Sequence, residues 1–205
     1  MTPQPLLAIS GAVEGSIDEV VTRRLVRDAG GSLERVYGKG GKQMLRQRLR
    51  AYNQAAAHAP WVMVVDLDHD ADCAPQFCHE WLPHPGQHMC FRVAVREIEA
   101  WLIADAENLA RFLSVATKHM PGDPEALPDP KQTMVNLARH SRRRDIRDDM
   151  VPRPNSGRSI GPAYNSRLIE FVETNWRPEA AADRADSLRR CRERLRGLIV
   201  SWLDA

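Results

Sequence analysis

Four aspartates at alternate positions follow a short apolar run in the segment WVMVVDLDHDAD, which covers residues 61–72. The run Val62–Val65 is rich in β-branched residues, which predicts a strand buried on both faces of a parallel sheet. In open α/β sheets ligands bind at the carboxyl ends of strands, and carboxylate oxygens are the ligands that Mg²⁺ prefers. The segment therefore indicates either a cation site or a solvated acidic turn, formed by Asp66, Asp68, Asp70 and Asp72.

Another acid, Glu14, lies in a different part of the chain, in the glycine-flanked turn GAVEG after the apolar run at 6–10. Because the carboxyl ends of parallel strands meet at one edge of a sheet, Glu14 is expected close to Asp66 and Asp68. Such carboxylates suit magnesium-dependent phosphoryl transfer, in which some hold the ion and another moves a proton. The alternative is that Glu14 only stabilises the amino terminus of the following helix.

Two further glutamates, Glu97 and Glu99, follow the apolar run at 89–95. They are expected at the same edge of the sheet, where they would complete a second metal site. The alternative is that they simply stabilise the start of the next helix.

The elements that must hold these acids alternate along the chain. Strands are predicted at 6–10, 33–37, 61–66 and 89–95, each followed by a helix, with the strand at 61 central. The order βαβαβαβα predicts an α/β fold, a mainly parallel four-stranded sheet flanked by helices. Ser16 is expected to cap the first helix in a capping box with Glu19.

Proline and arginine become frequent after residue 119. Residues 120–160 are predicted to form an extended loop region with one short helix over TMVNLARH, and helical periodicity then returns as a C-terminal helical addition. We therefore predict an α/β region at 1–119 and a loop-and-helix region at 120–205 packed on the same domain.

The composition excludes few functions. The net charge of +2 is nearly balanced, so any nucleic-acid surface must come from local clusters of basic residues. A basic segment leading into a long apolar stretch is absent from the amino terminus, which predicts a cytoplasmic protein that does not span a membrane. Irregular spacing of the four cysteines indicates reduced thiols, and the string His69, Cys73, Cys78, His79 lacks the usual zinc spacing.

Two basic segments are candidates for phosphate contact. The loop GKGGK at 38–42 combines glycines with Lys39 and Lys42, although it is not a Walker A sequence and an ordinary loop is the alternative. The arginine-rich segment contains Arg142, Arg143 and Arg144, which would clamp a nucleic-acid backbone or form a solvated face.

The pattern Gly11-x-x-Glu14-Gly15, a helix, and then Val64-Val65-Asp66-Leu67-Asp68 resembles the Toprim domain of topoisomerases, primases and OLD-family nucleases. The segments REIEAWLIAD, IGPAYNSRLIEFV and DSLRRCRERLRGL are similar to a Toprim-like family of small bacterial proteins of unknown function. This second resemblance spans nearly the whole chain.

The resemblance implies a Toprim-type nuclease, a phosphodiester hydrolase that binds Mg²⁺ or Mn²⁺ and cleaves DNA or RNA. Asp66 and Asp68 would hold the metal, and Glu14 would be a ligand or the general acid/base. Relatives in the nuclease branch often act in phage defence, sometimes beside an ATPase. A partner ATPase is therefore possible, and a homodimer is possible as well.

Two other functions stay open at this point. One is a non-catalytic nucleic-acid- or protein-binding module with the same fold, and the other is a phosphoryl or nucleotidyl transferase that uses the GKGGK loop. The chain has no room for the tyrosine domain of topoisomerases or the template-binding modules of primases. Tyr164 is therefore either a nucleophile or, as we expect, a packing residue.

Overall fold

A computed structural model of the protein describes residues 6–204, which divide into two compact units. Unit 1 contains the chain up to Ala94 together with the stretch from Arg190 onward, and unit 2 is the stretch Val95–Arg189. This division does not fall at residues 119 and 120, where the sequence places the change of composition. The reason is that Trp101 packs among later residues of the chain. Its indole Nε1–H donates a hydrogen bond to Ser187 Oγ at 2.7 Å, and its carbonyl oxygen accepts one from Trp176 Nε1 at 3.3 Å.

Unit 1 is built on a four-stranded sheet in the order β2-β1-β3-β4, with every pair of neighbours parallel. The predicted α/β fold with a mainly parallel sheet flanked by helices is therefore confirmed. Its strands are β1 (Leu7–Val13), β2 (Gly31–Gly38), β3 (Trp61–Asp66) and β4 (Met89–Ala94). The helices between them are α1 (Ser16–Asp28), α2 (Lys42–Ala55) and α3 (Ala74–Trp81).

Strand β3 lies inside the sheet, as its apolar sequence predicts. All five residues Trp61–Val65 are buried, because side chains on both faces of the strand are covered. Leu45, Leu49 and Phe77, which come from α2 and α3, belong to the same buried cluster as Met63 and Val65. The first acid of the series, Asp66, is the last residue of β3, so the apolar burial ends where the carboxylates begin.

The start of α1 differs from the expected capping box. Gly15, and not Ser16, precedes the helix, and no side chain caps its first turn. The Glu19 carboxylate instead contacts Lys39 Nζ at 2.5 Å and Arg23 Nη2 at 3.1 Å. These two cations draw the carboxylate away from the backbone that a capping box would use.

Unit 2 is helical. Its elements are α4 (Ile98–Ala104), α5 (Ala106–Leu113), a 3-10 turn (Thr117–His119), α6 (Pro130–Arg139), α7 (Arg144–Met150), α8 (Tyr164–Thr174), α9 (Pro178–Ala182) and the first residues of α10 (Asp186–Leu203). The expectation of one short helix in 120–160 is wrong, because α7 is a second one. Its apolar residues Ile146 and Met150 are four apart and both fully buried, which stabilises a helix within a highly charged segment.

Candidate metal and phosphate site

The carboxyl ends of β1 and β3 bring two of the predicted acids together. The two strands pair through Ala12 and Met63, so Glu14 comes level with the end of β3. The side chain of Glu14 accepts a hydrogen bond at 2.9 Å from the backbone N–H of Asp66. The proximity that the sequence predicts for these two residues is thus present at the carboxyl edge of the sheet.

Glu14 has an unusual affinity for protons. Burial raises the pKa of its carboxyl to about 7, against the opposing effects of the hydrogen bond from Asp66 and the positive charge of Lys42. The negative charges of Asp18 and Asp68 add to the increase. A carboxyl group that titrates near neutrality is suited to accept and release protons under physiological conditions.

Lys42, the first residue of α2, joins the next two aspartates of the series. Its Nζ contacts Asp68 Oδ2, and Asp70 Oδ2 lies 2.8 Å away. Burial lowers the pKa of Lys42, but the hydrogen bonds that Lys42 donates to Asp68 and Asp70 outweigh this effect and hold the pKa above its ordinary value. Asp70, for which the sequence favours simple solvation, is therefore part of this acidic cluster, defined here as Glu14, Asp66, Asp68 and Asp70.

The GKGGK loop is fixed to the end of β1. Lys39 N–H donates to Val13 O at 2.9 Å, and Gly41 N–H donates to Glu14 O at 3.1 Å. Gly38 has a φ of 92° and Gly41 a φ of 83°, which explains the glycines at these two positions. The loop thus delivers Lys42 to the acidic cluster, while its contact with phosphate stays a prediction.

The carboxylates of the described residues do not form a closed cage for a metal ion. Over residues 6–204, no group of three or more His, Cys, Asp or Glu side chains is placed to hold a metal, and this includes the string from His69 to His79. Asp68 and Asp70 do meet around one cation, the ammonium group of Lys42. Mg²⁺ keeps several waters and usually takes only one or two carboxylates from a protein, so it does not require a closed cage, and its binding at Asp66 and Asp68 stays a prediction.

The other two predicted ligands, Glu97 and Glu99, belong to unit 2 and have partners there. Lys131 contacts both oxygens of Glu97, through its Nζ and its backbone N–H, each at 2.8 Å. Glu99 is 2% exposed and accepts a hydrogen bond from the Tyr164 hydroxyl at 3.2 Å. Burial raises the pKa of Glu99 to about 7 and the pKa of Tyr164 well above its usual value. Their role in holding a second ion stays a prediction.

The three arginines predicted to bind nucleic acid differ in their surroundings. Arg143 Nε lies 3.1 Å from Asp145, Arg144 Nε lies 3.3 Å from Asp148, and Arg142 is exposed. Arg139, Arg147 and Arg153 line a concavity of about 480 Å³ in the same unit. A count of arginines along the sequence could not distinguish the arginines that pair with acids from those that line the concavity, because both properties depend on contacts made in the fold.

The comparisons with known proteins add no relative. No protein-family model matches the chain, and neither the curated proteins nor the solved structures contain a significant match. Among the described helices, none has the length and apolar character needed to cross a membrane.

Proposed function

We propose that the protein is a Toprim-type phosphodiester hydrolase that cleaves nucleic acid with Mg²⁺ or Mn²⁺. The observation that carries this proposal is the setting of Glu14. Its carboxyl group has a pKa of about 7 and accepts a hydrogen bond from the backbone N–H of Asp66. It combines a group that can exchange protons with neighbouring carboxylates that can hold a cation. These are the two requirements of metal-assisted hydrolysis of a phosphodiester.

The residues divide the chemistry between them. Asp66 and Asp68 would hold the ion, and Asp70 lies close enough to Lys42 to share its charge. When bound, the metal supplies Lewis-acid polarisation of a phosphate oxygen and a more acidic water. Glu14 accepts a proton from the attacking water, and the Lys42 ammonium neutralises negative charge on the phosphate. Glu97 and Glu99 remain candidates for a second ion.

The biological setting belongs to the same proposal. A cytoplasmic nuclease of this branch would act in phage defence, with DNA or RNA as its substrate and an ATPase as its partner. This extension rests on the resemblance of the GAVEG and VVDLD segments to OLD-family nucleases, which is an analogy of sequence.

One observation favours a second function, a non-catalytic nucleic-acid-binding module. The ammonium of Lys42 already neutralises Asp68 and Asp70. A metal ion would have to share or replace this ion pair, whereas a module without turnover would keep it. Metal-dependent cleavage separates the two functions directly.

The test is cleavage of plasmid DNA and of RNA by the wild type and by two variants in Mg²⁺ and in Mn²⁺. Asp66→Asn should abolish cleavage and weaken Mn²⁺ binding, because a neutral amide attracts the ion far less. Glu14→Gln should keep Mn²⁺ binding but lower the rate by about 10²–10⁴-fold, since proton transfer is lost. Mn²⁺ binding is measured by titration calorimetry.

The matched control is Asp72→Asn, which removes one charge from an exposed position in the same loop. It should cleave at the wild-type rate. Wild-type rates in both Asp66→Asn and Glu14→Gln would refute the hydrolase. Binding of nucleic acid by the wild type with no cleavage in either metal would favour the non-catalytic module.

A further inference from the structure

A concavity of about 420 Å³ adjoins the acidic cluster within unit 1. One wall is α2, with Lys42, Gln43 and Arg46, and the other is α3, with Phe77 and Trp81. Asp70, a member of the acidic cluster, also lines the concavity, as does Lys42, which pairs with Asp68 and Asp70 of that cluster. A volume of this size is within the range of about 300–1,000 Å³ that is usual for small-molecule sites.

The α3 wall is aromatic, and two cations of α2 lie over its rings. The rings of Phe77 and Trp81 are stacked with centroids 4.7 Å apart and an interplanar angle of 27°. The Arg46 guanidinium lies over the Trp81 ring at 5.5 Å, and Lys42 Nζ lies 5.7 Å from the centre of the Phe77 ring. Phe77 is fully buried and Trp81, which also stacks with Phe91, is partly exposed, so the exposed Arg46 guanidinium and the open part of Trp81 are the surfaces that a ligand can reach.

These groups match the chemistry of a nucleobase. A planar ring system stacks on tryptophan and on the flat guanidinium of arginine. The Gln43 amide and the Glu80 carboxylate, which also line the concavity, can hydrogen-bond with the edge of a base. The charge of Lys42 at the border suits the phosphate attached to that base.

We propose that this concavity, the base pocket, holds one unpaired nucleobase of a single-stranded nucleic acid next to the phosphate at the acidic cluster. This rests on the proposed function for the statement that the phosphate is cleaved. In a duplex the faces of each base are covered by its neighbours, so an unpaired or flipped-out nucleotide is needed to reach Trp81. The preferred substrate is therefore single-stranded or locally unpaired.

The test measures binding in the presence of EDTA, so that cleavage does not contribute. Three fluorescent ligands of equal phosphate number are compared: single-stranded oligothymidine, an abasic oligonucleotide and a blunt duplex. Stacking on a protein aromatic ring is worth about 5- to 150-fold in Kd per base. The wild type should bind oligothymidine more tightly than the abasic ligand by a factor in this range, and more tightly than the duplex.

Two variants locate the effect. Trp81→Leu and Arg46→Gln should each weaken the binding of oligothymidine, and Trp81→Leu should leave the binding of the abasic ligand unchanged. Arg48→Gln is the matched control, because it removes the same charge from an exposed position of α2 outside the pocket. If Trp81→Leu does not fold, as judged by its thermal melt, the comparison of Arg46→Gln with Arg48→Gln decides.

Equal affinity of the wild type for oligothymidine and the abasic ligand would overturn the base pocket. So would variants that keep wild-type affinity, or that lose the same factor for both ligands. A protein that cleaves nucleic acid but shows equal affinities refutes the pocket alone. A protein that binds bases through Trp81 but cleaves nothing in either metal refutes the proposed function and keeps the pocket.

Discussion

Glu99 is a buried carboxyl group whose ionisation should be visible in the stability of the protein. The groups that face it are the Lys131 ammonium at 3.8 Å, the Tyr164 hydroxyl and the neighbouring Glu97. Its pKa is about 7 in the folded protein and 4.5 in an unfolded chain. Between these two pH values the folded state binds more protons than the unfolded state, so the free energy of unfolding falls as pH rises from 4.5 to about 7. Above pH 7 this contribution stays constant.

The change attributable to Glu99 is on the order of 3 kcal/mol. Glu99→Gln should remove this part of the pH dependence and make the protein more stable than the wild type at pH 8. Urea unfolding at pH 5, 6, 7 and 8 measures it, with Glu173→Gln as a control at an exposed position of α8. An identical pH profile for wild type and Glu99→Gln would show that Glu99 is ionised throughout.

At the residue scale, the sequence could predict only part of the candidate site. Glu14 and Asp66 follow apolar runs at the ends of parallel strands, so topology alone places them together. The pairing of Lys42 with Asp70 depends on the turn at Asp68, which has a φ of 51° that no pattern of residue types indicates. The burial of Glu99 depends on Tyr164, which lies far away in the sequence.

At the scale of elements, the junction between β2 and α2 depends on two glycines that differ in their surroundings. A Cβ at Gly38 would lie 2.3 Å from the carbonyl oxygen of Val13, whereas a Cβ at Gly41 would meet nothing within 4 Å. Both have positive φ, so Gly41→Ala should cost about 1–3 kcal/mol through backbone strain alone. Gly38→Ala should cost more, because the bond from Lys39 N–H to Val13 O is also disturbed.

Urea unfolding of the two variants separates strain from steric exclusion. Gly197→Ala serves as the control, since it lies within α10 with open space around it and should stabilise the protein by about 0.5–1 kcal/mol. If Gly38→Ala and Gly41→Ala lower the free energy of unfolding equally, the steric clash between a Cβ at position 38 and the Val13 carbonyl oxygen costs nothing.

Prediction of the elements succeeded where one signal dominated. The sequence predicts each of the four strands within about three residues of its bounds, because apolar runs and turn residues coincide there. β1 extends to Val13, beyond the predicted end at residue 10, because Gly11, Ala12 and Val13 are all buried. The sequence does not indicate helix α7, since its two buried apolar residues are surrounded by charges.

At the scale of the whole molecule, unit 1 is assembled from two distant stretches of the chain. The later stretch contributes Ile199, whose Cδ1 lies near the backbone of Gly31 at the start of β2. Arg194 Nη2 also reaches the carbonyl oxygen of Met89, in β4, at 3.4 Å. The sheet therefore depends on residues that follow unit 2 in the sequence.

Ile199→Ala should destabilise unit 1 by about 2–5 kcal/mol, because the removed side chain is 5% exposed and leaves a cavity. Hydrogen exchange at the amides of Ile9 and Leu33 measures the loss, since both residues lie in the sheet. Val200→Ala is the control, at a position that is 57% exposed. Unchanged exchange in Ile199→Ala would mean that the sheet is stable without this helix.

The same discontinuity has a consequence for the protein during its synthesis. A ribosome adds about 5–20 residues per second, so roughly 5–20 s pass between the completion of β4 and that of α10. During that interval the apolar surface that Ile199 covers has no partner from its own chain. Such surface attracts chaperones and other nascent chains, which predicts that slower translation lowers the yield of soluble protein.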